Sequence, residues 1–177
     1  VLPSTLLTIG DNCFEGCTSY ISSDPIPDSC QTLGLSCFEN TKITAVIFKS
    51  SLTSLGLYGF ISCAFLTNVS FQSPLYITTI PGSFFQGCAI TSIAIPIQIT
   101  TLSQSVFYNC PMDTIQLGIR LTSIGNNCFN KNTITQVLWD AGSARTCSIG
   151  SGAFGSTGMT AYNGTNYDVP LGGYLFF

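Results

Sequence analysis

Ile80-Pro81-Gly82-Ser83-Phe84-Phe85-Gln86-Gly87-Cys88, followed by Ile90-Thr91-Ser92-Ile93-Ala94-Ile95-Pro96, carries the plan of the whole chain. An aliphatic residue is followed five positions later by phenylalanine and eight positions later by cysteine. Two more aliphatics come at thirteen and fifteen. The first step recurs seven times, as Ile9/Phe14, Leu33/Phe38, Leu55/Phe60, Ile80/Phe85, Leu102/Phe107, Ile124/Phe129 and Ile149/Phe154. Successive phenylalanines lie 24, 22, 25, 22, 22 and 25 residues apart. A period of this size marks a solenoid, because a unit so small cannot bury its own apolar face and must stack on its neighbours.

The other columns follow the same register. The eighth position holds Cys17, Thr41, Cys63, Cys88, Cys110, Asn132 and Thr157. The thirteenth holds Val46, Ile93, Ile115, Val137 and Tyr162, and the fifteenth Phe48, Ile95, Leu117 and Trp139. The tenth holds Ile43, Ile90, Met112, Ile134 and Met159, and one extra residue in the third repeat moves its tenth, thirteenth and fifteenth positions to Leu66, Val69 and Phe71. Alternation over two positions predicts a short strand with those side chains turned inward. The step from five to eight predicts a brief helical or 3₁₀ segment. Gly10, Gly34, Gly56, Gly125 and Gly150 follow the first aliphatic residue, where a sharp turn is expected. The expected fold is an α/β repeat solenoid of about seven coils over residues 1–160. An irregular loop at 20–30 is read from Asp24-Pro25 and Pro27-Asp28, and 161–177 form a C-terminal cap or edge segment.

Of the 177 residues, 45% are apolar and only 7% charged, against roughly 25% charged in an ordinary domain. Ser, Thr, Asn and Gln must carry solubility. The net charge of −3 and the scatter of Lys42, Lys49, Arg120, Lys131 and Arg145 leave no nucleic-acid footprint. No apolar run reaches the ~20 residues that cross a bilayer. Val1-Leu2-Pro3 opens in mid-pattern, as in a mature or excised portion of something longer. Tyr174-Leu175-Phe176-Phe177 reads as a last strand or a docking edge.

The aliphatic-Gly step, the Phe-x-x-Cys step and a strand closed by Pro96 resemble the BspA-like class of leucine-rich repeat over about residues 2–160. The resemblance implies a cell-surface or secreted protein concerned with adhesion and protein binding.

With no histidine, neither a Ser-His-Asp nor a Cys-His arrangement can be assembled. The sparse carboxylates, Asp11/Glu15 and Asp24/Asp28 included, read as solvated loop acids, and no cofactor is implied. The eighth-position cysteines read as buried structural thiols. Cys13 and Cys37, in consecutive coils, are best placed for a bridge, since adjacent coils stand about 5 Å apart. Cys30 and Cys147 lie outside the columns and are freer to pair. The spacing suits no zinc site.

Residues flanking the inward strand positions should face a partner: Ile47, Lys49, Ser70, Gln72, Ala94, Thr114, Gln116, Gln136, Leu138 and Asp140. Asn68 and Asn163 open N-glycosylation sequons. Two functions are expected of such a chain. One is a non-catalytic extracellular module binding a protein or glycan through the sheet face. The other is a structural subunit joining copies of itself end to end.

Overall fold

The alternating pattern folds as expected. The computed structural model describes residues 2–139, 146–155, 161–162 and 174–176. Its strands are β1 (Thr8–Ile9), β2 (Thr32–Leu33), β3 (Ala45–Phe48), β4 (Ser54–Leu55), β5 (Asn68–Phe71), β6 (Thr79–Ile80) and β7 (Ser92–Ala94). There follow β8 (Thr101–Leu102), β9 (Thr114–Leu117), β10 (Ser123–Ile124), β11 (Gln136–Trp139), β12 (Thr146–Ile149), β13 (Ala161–Tyr162) and β14 (Tyr174–Phe176). Strands pair with their counterparts in neighbouring coils in parallel register, as in Val137↔Ile115 and Ile124↔Leu102. The result is a parallel β-solenoid of leucine-rich-repeat type with about six turns. Tyr174–Phe176, part of the segment read as a last strand or a docking edge, runs antiparallel along β12.

The helical turn expected between the strands is not formed: among the described residues there is no helix. Two residues in each turn take a left-handed backbone instead. Asn12, Ser36, Tyr58, Ser83, Ser105 and Asn127 form one column, and Asn40, Ser62, Asn109 and Lys131 belong to the second, all at φ 48–62°. Gly152 continues the first column; Gly16 and Gly87 complete the second. A left-handed residue every fourth position stops a helix: some N–H groups of the turn close local bonds three residues back, as Glu15 does to Asn12 at 3.2 Å, while alternate ones reach along the stack. The amide of Phe14 donates to the Cys37 carbonyl at 2.9 Å, that of Phe38 to Gly59 at 2.9 Å, and that of Phe107 to Cys128 at 2.9 Å. A spacing of three pointed to a helical turn, but bonding between coils sets the conformation instead.

The glycine column also has another cause. A Cβ on Gly34 would lie 2.5 Å from the Asp11 amide nitrogen, and one on Gly150 2.4 Å from that of Asn126. Close approach to the preceding coil, rather than a left-handed turn, excludes a side chain there.

The seven rings form one stack through the core, with centroid steps of 5.2, 5.1, 5.9, 5.5, 5.4 and 5.2 Å from Phe14 to Phe154. Phe38, Phe60, Phe85, Phe107 and Phe129 are fully buried, and each contributes about 1.5–3 kcal/mol of burial. Phe14, in the first coil, stacks on Tyr20 at 4.9 Å as well as on Phe38 and stays half-buried.

The stack is continuous but the sheets are not. β1-β2-β4 and β3-β5 belong to coils 1–3, whereas β6-β8-β10-β12-β14 and β7-β9-β11-β13 belong to later coils. Between coils 3 and 4 only the turn edge stays bonded, by Tyr58, Phe60 and Ser62 donating to Gly82, Phe84 and Gln86. At the other coil junctions the residue after the short strand donates to the preceding coil, as Gly56 does to Leu33 and Ser103 to Ile80. Coil 4 has Pro81 at this place, which has no N–H to give Leu55. The third repeat is also three residues longer than its 22-residue neighbours, since 25 separate Leu55 from Ile80.

Candidate interaction face

Two-residue alternation places one side of the long strands inward and the other outward. Val46, Ile93, Ile115 and Val137 are buried, while Ser70, Ala94, Gln116 and Gln136 are exposed and Ile47, Thr114 and Leu138 half-buried. Pairing aligns the outward residues in rows. Ile47 stands beside Ser70, and Ala94, Gln116 and Leu138 form one line. Ser92, Thr114 and Gln136 form a second line, and Asn68 stands exposed beside Ala45. Gln72 is exposed just past the end of β5. Eight of the ten expected face residues therefore share this side; Asp140 and the sequon residue Asn163 lie outside the described residues.

Lys49 is a correction. The strand ends at Phe48, alternation ceases, and the Lys49 side chain turns inward with 6% exposure. The irregular loop reaches it there: Asp24 bonds its ammonium, and Asp28 lies at 3.2 Å. Burial by itself would depress the ammonium, but the two carboxylates outweigh it and hold Lys49 above its ordinary value. Its charge staples the loop and is not available to a partner. The described rows of the face carry no charged side chain.

The sequence also missed a groove. Val69 and Phe71 are half-buried, although their counterparts Val46, Phe48, Ile115 and Leu117 have at most 1% exposure. The break between β5 and β7 uncovers them. An open groove of about 340 Å³ runs there, lined by Val69, Ser70, Phe71, Gln72, Ala94 and Pro96 among others. Its signals in the sequence were the extra length of the third repeat and Pro81.

The cysteines serve the stack. Cys63, Cys88 and Cys110 donate to the carbonyls of Phe38, Phe60 and Phe85 in the preceding coil, at 3.0, 3.1 and 3.2 Å. Asn132 does the same to Phe107 at 3.0 Å and accepts from the Cys110 amide at 2.8 Å. All nine cysteines are free thiols; Cys13 and Cys17 are exposed and the other seven buried. The bridge considered for Cys13 and Cys37 is not formed, and Cys30 and Cys147 are enclosed in the core. Burial pushes the thiols of Cys37, Cys110 and Cys147 up to about 12, far from the reactive thiolate. Among the described residues no cluster of three His, Cys, Asp or Glu side chains could hold a metal ion, and no helix is long and apolar enough to cross a membrane.

Comparison with known proteins bears on this geometry. The profile described as "BspA type Leucine rich repeat region (6 copies)" matches residues 1–112 and 70–176. A leucine-rich repeat protein from Bacteroides ovatus superposes with a TM-score of 0.78 at 20% identity, over 91% of this chain and 41% of its own. A leucine rich cell surface protein from Faecalibacterium prausnitzii gives 0.47 at 18% identity, over 96% of this chain and 48% of its own. At such identity the first superposition speaks for the fold alone. This chain spans less than half the length of either protein. No curated protein matches it in sequence.

Proposed function

This chain belongs to the BspA-type leucine-rich repeat family, and from that premise we propose that it is a non-catalytic extracellular recognition module. It binds a protein, or a glycan, through the open face formed by β3, β5, β7, β9 and β11. The observation that carries this reading is the set of outward rows, exposed or half-buried and uncharged on all five strands, while Lys49 is withdrawn into the loop. Such a face offers area and hydrogen-bonding groups without electrostatic steering, so binding should change little with salt. Asn68, exposed on the same face, is the glycan acceptor available within the described residues.

Biolayer interferometry of the full chain against purified secreted and surface proteins, with a glycan array beside it, tests the proposal. Ser70→Arg combined with Gln136→Arg should abolish the interactions found. Asn109→Arg, on the turn edge, should leave them intact. Equal binding by the face variant would overturn the reading.

A further inference from the structure

We infer that the solenoid has a built-in hinge between coils 3 and 4, with its axis along the turn edge and its opening on the interaction face. Three features converge at this junction. Neither the short-strand nor the long-strand ladder crosses it, and Pro81 removes the donor that would join coil 4 to Leu55. The turn edge keeps its three backbone bonds, from Tyr58, Phe60 and Ser62. Inside, Phe84 occupies a column otherwise filled by Cys13, Cys37, Gly59, Val106, Cys128 and Ala153. Its ring packs against Phe48, Phe60 and Phe85 at 6.0, 5.6 and 5.0 Å between centroids. The widest step of the ring stack, 5.9 Å from Phe60 to Phe85, falls at the same place. A wedge inside, a bonded edge on one side and an unbonded edge on the other give a wedge-shaped junction.

Two opposing tendencies act across it. Closure would cover the half-buried Val69 and Phe71 and pair the facing backbones of β5 and β7, whereas the Phe84 ring resists it. Rigid blocks joined along one bonded edge move by rotation about that edge, on the microsecond-to-millisecond scale of domain hinges. Coils 1–3 and the described coils from Ile80 onward are the two blocks, and the groove lined by Val69, Phe71, Ala94 and Pro96 is the space that opens and shuts.

Pulsed electron paramagnetic resonance on the full chain tests this, with Cys13 and Cys17 changed to serine so that only introduced thiols are labelled. One label pair, Ser70→Cys with Gln136→Cys, spans coils 3 to 6 on the face. The other, Ser62→Cys with Lys131→Cys, spans the same coils on the turn edge. The face pair should give a distance distribution roughly twofold broader than the turn pair, as one-sided rotation requires. Phe84→Val, the residue type this column holds at Val106, should narrow and shorten the face distribution and leave the turn pair unchanged. Equal widths at the two edges in the unmodified background would overturn the hinge even if Phe84→Val failed to fold. An unaltered face distribution in a folded Phe84→Val protein would overturn the wedge as its cause.

Discussion

The ring of Phe84 fills the space that a side chain on Gly59 would need: a Cβ built on Gly59 would lie 2.5 Å from one ring carbon of Phe84 and 2.6 Å from another. Both residues belong to the same column of adjacent coils, one the smallest member and the other the largest. The pair is matched in volume across the junction where the sheets part.

Gly59→Ala should therefore destabilise by about 1–3 kcal/mol through overpacking. Adding Phe84→Val should recover part of that loss, since the smaller residue vacates the space. Urea unfolding of the two single variants and the double variant measures the coupling, which independent sites would not show.

Removing a ring from the middle of the stack should cost more than removing one from its end. Phe107→Ala empties a fully buried site with rings on both sides at 5.5 and 5.4 Å, and a loss of about 3–5 kcal/mol is expected. Phe14→Ala, at a half-buried end, should cost less than half as much. Denaturant midpoints of the two variants, compared at equal slope, give the answer.

Asn132→Ala should remove the side-chain bonds to the Phe107 carbonyl and from the Cys110 amide, leaving these two groups only the longer 3.3 Å bond they make to each other. The expected cost is about 1–3 kcal/mol in all. Asn132→Cys, following the neighbouring coils, should restore the bond to the carbonyl but not the one from the amide. Its stability should fall between the wild type and the alanine variant.

Two of the nine thiols, Cys13 and Cys17, should react quickly with a thiol-specific chromogenic reagent in the native protein. The remaining seven should react only on unfolding. The same burial predicts a pH dependence. Unfolded thiols lose their protons near about pH 8.5, whereas Cys37, Cys110 and Cys147 in the folded chain hold theirs to about 12. Above the lower value the unfolded state binds fewer protons, so stability falls as pH rises through that window and is fully present below it. The raised Lys49 acts in the same direction, losing its ion pair once pH passes its folded value. Thermal melts between neutral pH and about pH 11 should show a steady decline.

The phenylalanine register, the inward Val/Phe alternation and the thiol column could all be read in the chain, because each repeats and repetition averages out local ambiguity. The turn conformation could not. A spacing of three fits one helical turn equally well, and only the neighbouring coil's carbonyls, such as Cys37 for Phe14, decide where the amides point. Lys49 was misplaced for a related reason. Alternation predicts direction only while the strand lasts, and this strand stops one residue earlier, where Asp24 and Asp28 arrive from a loop more than twenty residues away.

The sequence alone determined that short coils stack, which residues face inward, and that the outward rows are nearly free of charge, since those follow from period and composition. Where the stack loses its sheet bonds was decided by tertiary structure. Pro81, Phe84 and the longer third repeat are each tolerable in isolation. Their joint effect exists only when coils 3 and 4 are laid against one another, because a missing donor and an oversized ring matter only to the coil they face.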